Sequence, residues 1–246
     1  MEVHAHSHTA RKKWTHYLWE FIMLFLAVFC GFLAEYQLEH KIEKDREIQF
    51  IKSLVEDLKE DEIIIQQNIT INRSRVELMD SFLTAINNPE QIPQNGNNIY
   101  YMARVGPRIS ILSTNNKTFD QLKNSGSFRL IHKNETANKI MEYYNQLPKI
   151  KELETLYFEE FAHYKSIASK LFDPVMLRSM ERPNGDISRD GNNPQLRTTN
   201  PDLLKELGVY IVYMNGSTRS IVPLEEQLLQ HAKELSEFLK NKYHLD

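Results

Sequence analysis

LWEFIMLFLAVFCGFLA, Leu18 to Ala34, is the only long apolar stretch in the chain, and its reading decides the architecture. The strictly uncharged core, Phe21 to Ala34, has 14 residues. Runs of that length are more common in buried helices and signal-peptide cores than in spans. Its flanks lengthen it. Tyr17, Leu18 and Trp19 extend the apolar surface upstream, and Tyr36 and Leu38 extend it downstream. About 20 residues are then usable, close to the thickness of a bilayer core at about 1.5 Å per residue. Trp14, Tyr17, Trp19 and Tyr36 mark both ends, as interfacial aromatics do. Glu20 and Glu35 sit at the edges, where a carboxylate reaches the interface at lower cost than at the centre. The expectation is a transmembrane helix over 17–38, preceded by a polar His-rich tail over 1–16. A cleaved signal peptide fits less well. Cleavage requires small residues just past the apolar core, and here the core runs into Ala34-Glu35-Tyr36-Gln37-Leu38-Glu39. A buried helix of a soluble protein is the remaining reading.

Charge sets the expected orientation. Arg11, Lys12 and Lys13 cluster before the span, whereas Lys41, Lys44 and Arg46 begin several residues beyond it among five acids. The excess of Lys and Arg marks the cytoplasmic side. It favours a cytoplasmic N-terminus and an extracytoplasmic C-terminal domain, periplasmic if the source is a Gram-negative bacterium.

Beyond the span about 210 of the 246 residues remain, enough for one domain with a real core. Charged residues make up 26% and the net charge is -3. That balance argues against a nucleic-acid partner, which calls for a basic face. The single cysteine, Cys30, lies in the apolar run, which excludes an intrachain disulfide and a cysteine-based metal site.

Gln37 to Ile86 reads as one long helix, a stalk over 39–88 continuous with the span. Ile51, Val55, Leu58, Ile65, Ile69, Val76, Met79, Leu83 and Ile86 follow a heptad rhythm, with Glu62 and Asn72 filling two gaps. Two readings stay open: a coiled-coil homodimer with its register set by those polar residues, or a seam packed inside the chain's own bundle. PEQIPQNGNN, Pro89 to Asn98, predicts a turn-rich linker, followed by a helical domain over 99–246 that the stalk completes. Within it a short helix covers Ile99 to Val105. Thr114 or Asn115 caps the next helix, which ends at Gly126. Asn134 opens a long pattern to Leu171, kinked at Pro148. Glu181 to Asn200 reads as a surface loop. Asp202 to Asn215 and Leu224 to Tyr243 read as two helices separated by Asn215-Gly216 and Pro223. No period-two stretch supports a sheet, so the fold class is all-α.

Three blocks carry a resemblance. HYLWEFIMLFLAVFCGFLAEYQLEHKIEKDRE (His16 to Glu47), TFDQLKNSGSFRLI (Thr118 to Ile131) and ANKIMEYYNQ (Ala137 to Gln146) resemble a family of uncharacterised bacterial proteins with one transmembrane helix. They cover about a quarter of the chain. The resemblance implies a membrane anchor, here with Glu20 just before the apolar run, and a helical extracytoplasmic domain. It implies no activity.

Each candidate site competes with a plainer role. His4, His6 and His8 have alternate spacing that can chelate a divalent ion, but nothing in a polar tail orients them. Glu20 can pair with a partner helix or lie in the headgroup region beside Trp19. Cys30 and Gly31 form a small patch but no full small-xxx-small pair. Around Ser125-Gly126-Ser127 the G-x-S-x-G pattern of a nucleophile turn is absent. Phe119, Leu122, Gly126, Phe128 and Leu130 instead fit a structural corner whose four apolar side chains are expected to be buried core, with Asp120, Lys123 and Ser125 outside it. Tyr143, Tyr144, Tyr157, Phe158, Phe161 and Tyr164 have the spacing of core aromatics. No phosphate-binding loop, dinucleotide fingerprint or H-E-x-x-H is present, so no catalytic residue and no cofactor is assigned. The expected function is structural or interaction-based: a tether, scaffold or sensor. Its expected partners are the lipid bilayer, a second copy through the stalk, or another membrane or periplasmic protein. The alternative is a receptor or enzyme with a pocket between helices near Phe119–Arg129 and Tyr143–Tyr164.

Overall fold

The computed structural model describes residues 14–189 and 192–245. The fold is all-α. Helices α1 (Trp14–Ile86), α2 (Ile92–Val105), α3 (Lys117–Asn124), α4 (Asn134–Tyr144), α5 (Leu147–Leu171), α6 (Pro174–Ser179) and α7 (Pro201–Tyr243) follow one another. Two short 3-10 turns lie at Pro89–Gln91 and Ser127–Leu130. Among the described residues the only β pairing is an isolated bridge between Glu181 and Ile187. The chain divides into two compact units, one ending at Phe50 and one beginning at Ile51.

In the first unit α1 carries the apolar run. It has no proline and one glycine, Gly31, within 14–50, so nothing in its backbone interrupts i to i−4 bonding. Phe21, Phe25 and Phe29 stack at four-residue steps, with ring centroids 6.3 and 5.9 Å apart. The helix contains a window long and apolar enough to cross a membrane by length and composition. Its mean hydropathy is 2.1, and none of it is buried.

The second unit is a helical bundle. Ile51, Leu54, Leu58, Ile65, Ile69, Met79, Phe82 and Ile86 of α1 are buried in it. The heptad seam is thus covered by the chain's own helices. Asn72, one of the two polar gap-fillers, is fully buried and bonded within the chain, whereas Glu62 is half-buried. A dense aromatic centre forms where Phe82 and Tyr100 meet Phe172, at 6.4 and 5.1 Å.

Four element boundaries differ from the sequence reading. The stretch Pro89 to Asn98 is not a linker. After a 3-10 turn, α2 already begins at Ile92 with Pro93 in its first turn, where the missing N–H costs nothing. Gly96 inside this helix faces Pro194, whose carbonyl oxygen would lie 1.9 Å from an added Cβ. Only glycine permits that approach. Asn116, not Thr114 or Asn115, precedes α3, and its side chain makes no cap bond. Asp57 of α1 caps α3 instead, its Oδ2 accepting from Thr118 N at 3.0 Å. At Pro148 the chain breaks into α4 and α5 rather than kinking. Proline has no N–H to reach the Tyr144 carbonyl, so it opens a new helix in its first turn. Conversely, α7 is one helix through Gly216 and Pro223. An interior Gly costs about 1 kcal/mol and an interior Pro about 3. Against that, each fully buried aliphatic side chain contributes about 1.5–3 kcal/mol. Ile211, Met214, Ile221, Leu228, Ala232 and Leu235 all lie buried along this helix. Asn215, where a break was expected, donates to Asp80 Oδ1 at 2.7 Å and so ties α7 to α1.

Candidate functional site

Residues 107–116 form an extended strap between α2 and α3. An extended segment has no helical partners for its backbone groups, and buried N–H and C=O groups need partners. Here side chains from two helices, α1 and α5, supply them. Asp57, Asp61, Asn68, Asn72 and Arg75 recur at three-, four- and seven-residue steps and so share one face of α1. Asn72 holds Ser110 at two points: its Oδ1 accepts from Ser110 N at 2.8 Å and its Nδ2 donates to Ser110 O at 3.2 Å. Asn68 Nδ2 donates to the same carbonyl at 3.2 Å. Arg75 Nε donates to Arg108 O at 3.1 Å. Asp61 Oδ1 accepts from Asn115 N at 2.6 Å, and Glu60 Oε2 accepts from the Asn115 side chain at 2.6 Å. From α5, Glu154 Oε1 accepts from Leu112 N at 2.8 Å.

Behind the strap, Glu225 of α7 accepts from Asn68 at 2.6 Å and from Asn72 at 3.2 Å. Tyr143 of α4 donates its hydroxyl to Asp61 Oδ2 at 2.7 Å. Asp61, Asn72 and Glu225 are fully buried. A cavity of about 160 Å³ opens beside the strap, lined in part by Leu112, Thr114, Ile150 and Glu154. A second, of about 130 Å³, is bordered by Tyr143, Lys139, Glu142 and His231.

Burial disfavours the charged form of each carboxyl here. It pushes Asp61 up to about 6. The Asn115 N–H and the Tyr143 hydroxyl oppose that rise, and Asp57 and Glu60 add to it. Burial pushes Glu225 up to about 7, opposed by the Asn68 and Asn72 amides and reinforced by Glu154 and Glu226. Glu154 is raised by burial against the Leu112 N–H. These carboxyls therefore hold the strap and link it to protons.

The folded state binds protons that the unfolded chain has already released between about pH 4 and pH 7. The stability these groups add is complete below about pH 4 and is lost as pH rises through 6 to 7. For Asp61 the change is worth about 3 kcal/mol, at about 1.4 kcal/mol per pH unit. The melting temperature of the full chain is expected to fall between pH 5 and pH 8. Asp61→Asn, which keeps an acceptor for Asn115 N, should flatten that slope. An identical slope in the variant would show that Asp61 does not titrate in this window.

The structure disperses the residues singled out from the sequence. Leu122 and Leu130 are buried, while Phe119 and Phe128 are only half-buried. Phe119 stacks on Tyr144 at 4.0 Å and meets Phe128 edge-on at 6.2 Å. These rings form an aromatic ledge at the surface of the unit, which leaves part of each exposed. Gly126 adopts the left-handed conformation, φ 68°, the geometry that ends a helix. Asp120, Lys123 and Ser125 are exposed, and the Ser125 hydroxyl donates to the Gln121 carbonyl of its own helix at 2.6 Å.

Trp14, Tyr17, Trp19, Glu20 and Tyr36 are all exposed on α1. Glu20 Oε1 lies 3.0 Å from His16 Nε2, one turn away. His4, His6 and His8 lie outside the described residues. Among the described residues no group of three or more His, Cys, Asp or Glu is placed to hold a metal ion. Sequence reasoning missed Asp57, Asp61, Asn68, Glu154 and Glu225. The one local signal was a run of polar residues interleaved with the heptad seam. Comparison with family models, with curated proteins and with solved structures finds no match to this chain.

Proposed function

We propose that the chain is a single-pass membrane protein, anchored through 17–38, whose helical bundle serves as a tether, scaffold or sensor. The supporting observation is the bareness of the apolar window in α1. Phe21, Leu24, Phe25, Val28, Phe29 and Phe32 are exposed together. Contiguous apolar surface of this extent marks contact with a membrane or a partner. Aromatics at both ends fit a bilayer. The cluster Arg11 to Lys13 favours a cytoplasmic N-terminus, and the resemblance of His16 to Glu47 favours a bacterial inner membrane with the bundle in the periplasm.

The α1 seam from Ile51 to Ile86 is filled by the chain's own helices. A homo-oligomer of the folded bundle would therefore use the part of the helix before Ile51. An unidentified membrane or periplasmic protein is the other partner of the proposal. Alkaline carbonate extraction of membranes tests the anchor. The full chain should stay in the pellet, and its release with peripheral proteins would end the proposal. A second reading, a receptor for a small ligand, is favoured by one feature, a cationic groove in the bundle.

A further inference from the structure

Beside the C-terminal end of α2 lies an open groove of about 210 Å³. Phe161, Phe172 and Leu177 give it an apolar floor, and Arg104, Arg108 and Lys165 stand at its rim. The Tyr164 hydroxyl beneath it is already used, donating to Ala103 O at 2.9 Å. The floor is therefore apolar in effect.

Among the described residues the rim is short of anions. The ion pair that reaches it runs from Arg104 to Glu181, at 3.4 Å. Arg104 Nε is buried, with no acceptor among the described residues. Lys165 lies over the Phe161 ring, its Nζ 4.7 Å from the centroid, a site of cation–π attraction. Arg108 is lowered by burial and by the repulsion of Arg104 and Arg75, which Glu181 offsets only in part. A buried guanidinium donor without an acceptor is costly. A planar carboxylate is the group that matches a guanidinium fork.

We infer that this groove binds a small organic acid: one carboxylate held by Arg104 and Lys165, with a short apolar tail on the phenylalanine floor. The volume sets the tail. An apolar cavity of about 150 Å³ holds a benzene ring, so a groove of about 210 Å³ takes a tail of roughly six to eight carbons. Inorganic phosphate would leave the floor empty, and a neutral chain would leave the rim unpaired. The inference concerns the bundle alone, so its failure would leave the membrane anchor untouched.

The test uses the full chain in phosphatidylcholine nanodiscs, titrated calorimetrically with 3-phenylpropionate, with empty nanodiscs as the blank. Saturable binding is expected, with Kd on the order of 0.1–1 mM for a ligand of about a dozen heavy atoms. 3-Phenylpropanol, which has no charge, should bind at least about tenfold more weakly, as should the acid to Arg104→Gln/Lys165→Gln, through loss of the charge-assisted bonds. Lys165 is exposed, so Lys165→Gln alone keeps the fold and should still weaken binding severalfold if the double variant misfolds. Equal affinity for acid and alcohol, wild-type affinity in the variants, no saturable binding, or full displacement by phosphate would each overturn the inference.

Discussion

The Leu26→Arg/Phe29→Arg variant is expected to leave the membrane fraction. On insertion scales a central Leu or Phe favours the bilayer by about 0.3–0.6 kcal/mol, and a central Arg opposes it by about 2.5–3.5. Each substitution therefore changes the balance by roughly 3–4 kcal/mol, and the pair by about 6–8. Both positions lie near the middle of the apolar run, too far from either end for the guanidinium to reach the interface easily. The run has little margin, because its uncharged core is short. The variant should appear in the carbonate supernatant while the parent stays in the pellet. If both stay in the pellet, something other than the 17–38 segment holds the chain to the membrane.

Leu122→Ala is expected to be the most damaging change in the corner from Thr118 to Ile131. Leu122 is fully buried. Truncating a buried leucine typically costs about 2–5 kcal/mol, part transfer and part cavity. For a domain of 150–250 residues each kcal/mol lowers the melting temperature by roughly 2–4 °C, so a fall of roughly 5–15 °C is expected. Ser125→Ala removes an exposed hydroxyl that bonds only within its own turn and its Ser127 neighbour. It should change stability by no more than about 0.5 kcal/mol. Thermal unfolding of the two variants, followed by circular dichroism in the same nanodiscs, separates a scaffold from a site. Similar melting temperatures for Leu122→Ala and the parent would remove the structural account of this block.

Legibility followed the range of the forces involved. The apolar run and the heptad of α1 are local periodic patterns, so both could be read directly. So could the turn at Gly126, where a left-handed residue follows a short helix. Asn215-Gly216 and Pro223 misled because local propensity gave way to the buried stripe of α7, whose worth depends on what it packs against. The strap was invisible for a related reason. Its hydrogen bonds join residues 33 to 55 positions apart, and Asp57, Asp61 and Asn68 look like ordinary solvated helix residues until α3, α4 and α7 meet them. Phe119 and Phe128 read as core because of their chemistry, yet they sit at the edge of the unit and stack rather than sink.

The central claim is one membrane crossing with the bundle on the far side. A pair of reporters fused after Asp246, one active only in the periplasm and one only in the cytoplasm, tests it most directly. The account predicts signal from the periplasmic reporter and none from the cytoplasmic one. Activity of the cytoplasmic reporter alone would mean that the bundle never crosses, and would contradict it.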